Sequence, residues 1–242
     1  MTISNKLNHS IWLKLLLFIP LYFLLYFVMI QYQPVCELGG RLTKAVSLKM
    51  FIDSWTPVNI YIMWPYLTCL IYVPFSGIVY AFNRRISAMQ VISFYVSVVS
   101  VYLVTYAIYI VFPTTASGVM ITSFGPNQHL FINEGMFQAL QDLYKQSTPL
   151  GDFPSLHVAP LVLMGIFLYK HWYSLFWVFL PFAFFGAIGT FVLKFHTFAG
   201  FLGGIAMGYF GYYILYEKVT LKYLSKIIGV EHDIIDKKQY SE

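Results

Sequence analysis

Charge is what this sequence has least of. Only 10% of its 242 residues are Asp, Glu, Lys or Arg, against about 25% in an ordinary soluble domain, and that shortage excludes a water-soluble globular chain. Cysteine is scarce too. Cys36 falls in an expected loop and Cys69 inside an apolar run, so no bridge between them is expected and the redox compartment stays open. No metal-ligand set is visible, because His157 and His196 have no third Cys, Asp or Glu at ligand spacing; neither metal nor cofactor is expected. The first apolar stretch has no small-x-small cleavage site after it and reads as a retained span rather than a signal peptide. Nor does Gln33-Pro34-Val35 before Cys36 offer the small residue of a lipoprotein signal. Internal repeats and low-complexity linkers are lacking, and residues 1–242 read as a single membrane domain.

What the chain does have is apolar length. Hydrophobic residues make up 59%, aromatics 20%, and mean hydropathy is +0.68. The length leaves room for roughly six spans of about 20 residues. They are expected at Ile11–Gln31, Asn59–Phe82, Met89–Phe112, Phe153–Tyr169, Tyr173–Leu193 and Thr197–Tyr216, giving an all-α integral membrane bundle of six transmembrane helices. Pro20 is expected to kink the first span, as membrane helices tolerate. The longest polar stretch, Thr114–Asp152, follows the third span. From Glu217 the tail (217–242) is charged, and Val219, Leu221, Leu224, Ile227 and Ile228 are spaced as on an amphipathic helix lying on the membrane.

The net charge of +5 says little about nucleic acid, since basic residues in membrane chains mainly set topology. With the N-terminus inside, Lys6, Lys14, Arg84, Arg85, Lys170, Lys218, Lys222, Lys226, Lys237 and Lys238 lie inside. Arg41, Lys44, Lys49, Lys145 and Lys194 lie outside, five of the 15 basic residues. Both termini are therefore expected in the cytoplasm. The starts of spans four and six then share the outer face, whichever absolute orientation holds.

That face collects the chemistry. In Gly151-Asp152-Phe153-Pro154-Ser155-Leu156-His157, Pro154 is expected as a first helical residue, with the N–H groups of Ser155, Leu156 and His157 free to meet an anion. Ser155 adds a hydroxyl and His157 an imidazole. About forty residues on, Lys194 and His196 open span six. Ionisable groups near spans are functional candidates by default. His9, His129, His171 and His232 are weaker, being in polar ends, the long loop or an inner helix end.

At Phe153-Pro154-Ser155-Leu156-His157 the chain resembles the type 2 phosphatidic acid phosphatase (PAP2) superfamily. It looks most like the branch with inositol phosphorylceramide and related sphingolipid synthases. In Lys194-Phe195-His196-Thr197-Phe198-Ala199-Gly200, with the glycines beyond, Lys194, His196 and the final glycine match the third signature. Asp53-Ser54-Trp55-Thr56-Pro57, Trp64-Pro65-Tyr66 and Phe112-Pro113-Thr114 are similar to the approaches of spans two and three. The likeness covers about residues 50–205, within a core of about 50–216. It departs twice. No basic residue follows Phe112-Pro113, and Gly200 stands where the family has the aspartate that orients the nucleophilic histidine.

The resemblance implies a PAP2-type bundle acting without metal on a lipid phosphate drawn from the bilayer, on the outer face of a cell's inner membrane. It makes His196 the nucleophile that forms a phosphohistidine, His157 the general acid, and Ser155 and Lys194 the phosphate holders. The two imidazoles are expected within about a phosphate's width of each other, with spans four and six in contact. No acid lies between Phe153 and Tyr216. The partner of His196 is therefore expected from the outer-face acids Glu37, Asp53, Glu134, Asp142 and Asp152, with Asp53 first and Asp152 second, or from a backbone carbonyl. Failing any acceptor, Gly200→Asp is expected to raise activity. Three readings stay open: a lipid-phosphate phosphatase, a head-group phosphotransferase, and a silent lipid-binding member. Oligomeric state is not legible.

Overall fold

The computed structural model describes residues 10–83, 85–116, 135, 142 and 150–228. Its helices are α1 (Ile11–Ile30), α2 (Tyr32–Leu42), α3 (Phe51–Trp55), α4 (Met63–Phe82), α5 (Ala88–Val111), α6 (Val158–His171), α7 (Tyr173–Val192), α8 (Phe198–Phe210) and α9 (Lys222–Ile228). A wide, π-helical stretch, Gly211–Leu221, joins α8 to α9. Two short strands, β1 (Val46–Ser47) and β2 (Thr114–Thr115), pair in parallel, and Thr115 bridges to Leu150. The expected spans and this architecture agree in class: the chain is mostly helical and its helices are apolar.

Among the described residues, four helical stretches are long and apolar enough to cross a bilayer: Ile11–Leu42, Ala88–Val111, Tyr173–Val192 and Phe198–Lys226. α4 bends by 60° between Val73 and Ser76 and makes a fifth if counted as one broken span. Residue 74 is a proline, which has no N–H for the helix ladder. α6 has 14 residues, about 21 Å at ~1.5 Å per residue, short of a hydrocarbon core of about 30 Å.

Three expectations need correction. Span four does not begin at Phe153. Residues 151–157 form a loop, and the helix starts at Val158, so Pro154 is not its first residue. Ser155 sets that start, because its Oγ accepts the Val158 N–H at 3.3 Å and its carbonyl accepts the Ala159 N–H at 3.1 Å. The segment holding Cys36 is helical, not a loop; α2 continues α1, and Cys36 is a buried free thiol on it. The stretch from Glu217 to Leu221 does not leave the bundle to lie on a surface. It prolongs α8 and packs on α5, with Thr220 and Leu221 buried and the Thr220 and Ser97 hydroxyls 2.9 Å apart. Lys6, His9, Arg84, His129, Glu134, Lys145, His232, Lys237 and Lys238 lie outside the described residues.

α6 and α8 pack closely because α8 carries a glycine every fourth residue. A Cβ on Gly204 would come within 2.8 Å of the Ser155 carbonyl oxygen, and one on Gly208 within 2.7 Å of that of Ala159. Stripes of small residues let membrane helices approach to backbone contact, where dispersion replaces the hydrophobic effect as the attractive force. Around this pair, α5 runs through the centre of the core with Val91, Phe94, Tyr95, Val98, Val101 and Tyr109 fully buried. The bundle has two polar ends. At one, Lys14 donates to the Asn83 carbonyl (2.6 Å) and Lys170 pairs with Glu217 (2.9 Å). At the other lie α3, the start of α4, the loop 151–157 and the α7–α8 turn.

Candidate active site

The site is built on the loop between β2 and α6. Thr114, fully buried, holds that loop twice: its carbonyl accepts the Gly151 N–H (2.9 Å) and its Oγ1 accepts the Phe153 N–H (2.7 Å). Tyr32 donates to the Leu150 carbonyl (3.1 Å) and Tyr109 to that of Pro154 (2.7 Å). Gly151 has φ 80°, a left-handed conformation open to glycine, and a Cβ there would press on Cys36 Sγ at 2.6 Å. Four hydrogen bonds to the loop backbone thus fix where Asp152 and His157 stand. Across the α6–α8 seam the Ser155 N–H donates to the Gly200 carbonyl at 3.0 Å, which ties this loop to the start of α8.

Two imidazoles meet there. His157 Nδ1 and His196 Nε2 are 2.9 Å apart, within the expected phosphate's width, and the rings bond each other directly. His196 is 1% exposed, and its Nδ1 lies 2.9 Å from the Asp152 carbonyl oxygen and 3.6 Å from Asp152 Oδ1. On the far side of His157, Nε2 is 3.2 Å from the Tyr66 hydroxyl.

The end of this chain decides the protons in it. A carbonyl oxygen only accepts, so His196 Nδ1 carries hydrogen. In a neutral His196 ring, Nε2 then holds a lone pair, and His157 Nδ1–H donates to it. His157 Nε2 in turn accepts from Tyr66. Burial, the main cause, pushes the His157 imidazole down to about 3, so it is neutral near pH 7. The result is a one-way chain, Tyr66 O–H to His157 to His196 to Asp152.

Asp152 is the acid that comes to His196; Asp53 is not. The Asp152 carboxylate accepts the Thr197 N–H (2.7 Å) and hydroxyl (2.6 Å), and these two bonds turn its main chain toward the ring. Gly200 leaves the space that Asp152 fills, since a Cβ there would overlap the Asp152 carbonyl oxygen and meet Oδ1 at 2.6 Å. Asp53 serves the neighbouring cation. Its carboxylate accepts the Phe198 N–H (2.7 Å) at the N-terminus of α8 and the Met50 N–H (2.6 Å), while its carbonyl accepts from Lys194 Nζ (2.7 Å). Lys194 is fully buried at φ 61°. Burial lowers its pKa, the Asp53 carboxylate opposes that, and nearby Lys49 adds to it. Among the described residues its ammonium has a single hydrogen-bond acceptor, leaving two of three N–H groups for an anion.

Ser155 is also fully buried, and its hydroxyl is spent on starting α6. Of the N–H groups expected to face an anion, that of Ser155 is taken by Gly200, whereas those of Leu156 and His157 have no acceptor among the described residues. Glu37 pairs with Arg41 on α2, and His171 stands at the opposite end beside Gln90, Tyr212 and Tyr216. Tyr66, which the sequence shows only as part of Trp64-Pro65-Tyr66, joins the site through His157. Its signal was the pairing of a tyrosine with the start of a span on the same face.

A buried imidazole pair with an oriented acceptor thus stands beside a buried lysine at one end of an apolar helical bundle. A family model of the PAP2 superfamily matches residues 40–214, and the chain belongs to that superfamily. No curated protein and no solved structure matches it. Superfamily members are generally phosphatases or phosphotransferases.

Proposed function

We propose that the protein is an integral membrane lipid-phosphate phosphatase that works through a phosphohistidine on His196, with His157 as general acid and then base. The observation that carries this is the orientation of His196: Nδ1–H on the Asp152 carbonyl at 2.9 Å leaves the Nε2 lone pair aimed at the space shared with His157. In the first step His196 Nε2 forms the N–P bond as the P–O ester bond breaks, and the proton on His157 Nδ1 goes to the leaving alkoxide. In the second, water attacks phosphorus, its proton passes to His157 Nδ1, and the N–P bond breaks. Lys194, aided by the Leu156 and His157 N–H groups, holds the phosphoryl oxygens. Ser155 supports that cradle by shaping the start of α6.

The phosphate enters only by parting the two rings. A dianion beside His157 then favours its charged form, which supplies the acid proton. The filled Gly200 position supports a working site over a silent lipid-binding one. The Phe153-Pro154-Ser155-Leu156-His157 sequence supports kinship with the sphingolipid-synthase branch, where a lipid or sugar hydroxyl takes the place of water. Six crossings, with α4 bent and α6 short, both termini cytoplasmic and the site on the outer face of the cell's inner membrane, fit the alternation of helix directions and the basic-residue bias. The test is the purified protein in detergent with a panel of lipid phosphates, with and without alcohol acceptors, followed by acid-labile phosphoenzyme trapping. Free phosphate and a label lost in His196→Ala are expected. A transferred head group would make it a transferase, and neither product would remove the enzymatic reading.

A further inference from the structure

We propose that Tyr66 is a positioning residue for this reaction, whose hydroxyl reverses its hydrogen bond to His157 as that imidazole gains and loses its acid proton. The inference rests on the hydrolase reading above. Tyr66 lies at the start of α4, 5% exposed, with its ring stacked on Phe195 (centroids 5.1 Å, planes 10° apart) and packed with Met63 and Leu193. The ring is thus held by this packing, and the hydroxyl is delivered to one place. Among the described residues its hydrogen-bond partner is His157 Nε2 at 3.2 Å.

The chemistry asks for a group of this kind at Nε2. In the empty site Nε2 is a lone pair and needs a donor. In the loaded site His157 carries protons on both nitrogens, and Nε2–H needs an acceptor. After Nδ1 has given its proton to the leaving alcohol, Nε2 keeps the other, so Nδ1 is left bare to receive the proton of the incoming water. A hydroxyl both donates and accepts, whereas a carboxylate only accepts and an ammonium only donates. A carboxylate at this place would hold His157 charged between turnovers, and a phenylalanine would leave Nε2 without a partner in every state. The Tyr66 hydroxyl follows the ring through the whole cycle without itself losing a proton.

Tyr66→Phe keeps the stack on Phe195 and removes only the hydroxyl. In the full-length protein in nanodiscs, turnover of a lipid phosphate, whose alkoxide leaving group needs the acid, is expected to fall on the order of tenfold, the scale of one charge-assisted hydrogen bond. Turnover of an aryl phosphate, whose leaving group is a weak base, should fall less than about twofold. The alkaline limb of kcat should move to lower pH, because the bound-state imidazolium loses its acceptor. In [15N]histidine NMR of the empty protein, the His157 Nε2 resonance should move toward that of an unbonded imidazole nitrogen. Tyr66→Leu, which also breaks the stack, should lower both substrates together, the pattern a purely structural role would give to Tyr66→Phe. Equal losses on the two substrates, or an unmoved limb, in Tyr66→Phe with wild type active would overturn this inference alone. A wild type that turns over neither phosphate would overturn the hydrolase reading and this one with it.

Discussion

At the residue scale the decisive exchange is between Gly200 and Asp152. Where the family has an aspartate on α8 this chain has Gly200, and Asp152 of the loop before α6 occupies the space the glycine leaves. Gly200→Asp should therefore lower activity, not raise it, because any side chain there meets main-chain oxygen that cannot swing away. Asp152→Asn should cut turnover by about 10- to 100-fold, less than the roughly four orders lost when a triad aspartate is changed, because the backbone carbonyl still receives the His196 Nδ1–H. Phosphatase rates of wild type and both variants in one membrane preparation check this. His157 gives a pH signature. Its folded pKa of about 3 lies below the ordinary 6.5, so the unfolded chain binds the extra proton first as pH falls. Its contribution to stability is full above 6.5 and declines as pH drops from there toward 3. Melting in detergent should show a loss between pH 7 and 5 that shrinks in His157→Gln. Much of this was legible in the sequence: two histidines, a lysine and a short set of acids on one face. Which acid turned to His196 was not, because the contact runs through a carbonyl whose direction is set by Thr197 and Thr114, residues with no chemical signature.

At the element scale, the seam between α6 and α8 brings the imidazoles together. Gly204 faces Ser155 and Val158, and Gly208 faces Ala159 and Val162, so a large side chain at either wedges the helices apart. Gly204→Leu should leave a helical, membrane-inserted protein that binds vanadate at least tenfold more weakly, whereas Leu202→Ala, on the exposed side of the same helix, should bind it as wild type does. Helix ends at α5 and α7 followed from hydropathy, which sees long apolar runs well. The start of α6 did not, since Phe153, Pro154 and Leu156 look like span residues but pack a loop. The continuation of α8 through Gly211–Leu221 was hidden for the opposite reason. Glu217, Lys218 and Thr220 look like a departure from the membrane, yet Lys170 and Ser97 supply partners for two of them.

Over the whole molecule, the two polar ends divide the work. One end holds the chemistry; the other is tied by Lys14 to Asn83 and by Lys170 to Glu217. Trp55 and Tyr223 are exposed at opposite ends. In a background without Cys36 and Cys69, Trp55→Cys should react with an impermeant thiol reagent from outside intact cells, and Tyr223→Cys only after lysis. Reaction of both from outside would break the proposed two-sided topology.

The bond between His157 and His196 has a further consequence, chemical latency. In that bond the His196 Nε2 lone pair accepts the His157 Nδ1–H, so a stray electrophile finds nothing basic there to attack. Carbethoxylation of His196 should be slow in the empty protein and faster in His157→Ala. The mask costs substrate affinity about one hydrogen bond, on the order of 0.5–1.5 kcal/mol, or roughly 2- to 13-fold in Kd. A ligand carrying two negative charges easily repays that sum, and a neutral lipid does not. The same contact that keeps the histidine quiet therefore also sorts what is allowed to wake it.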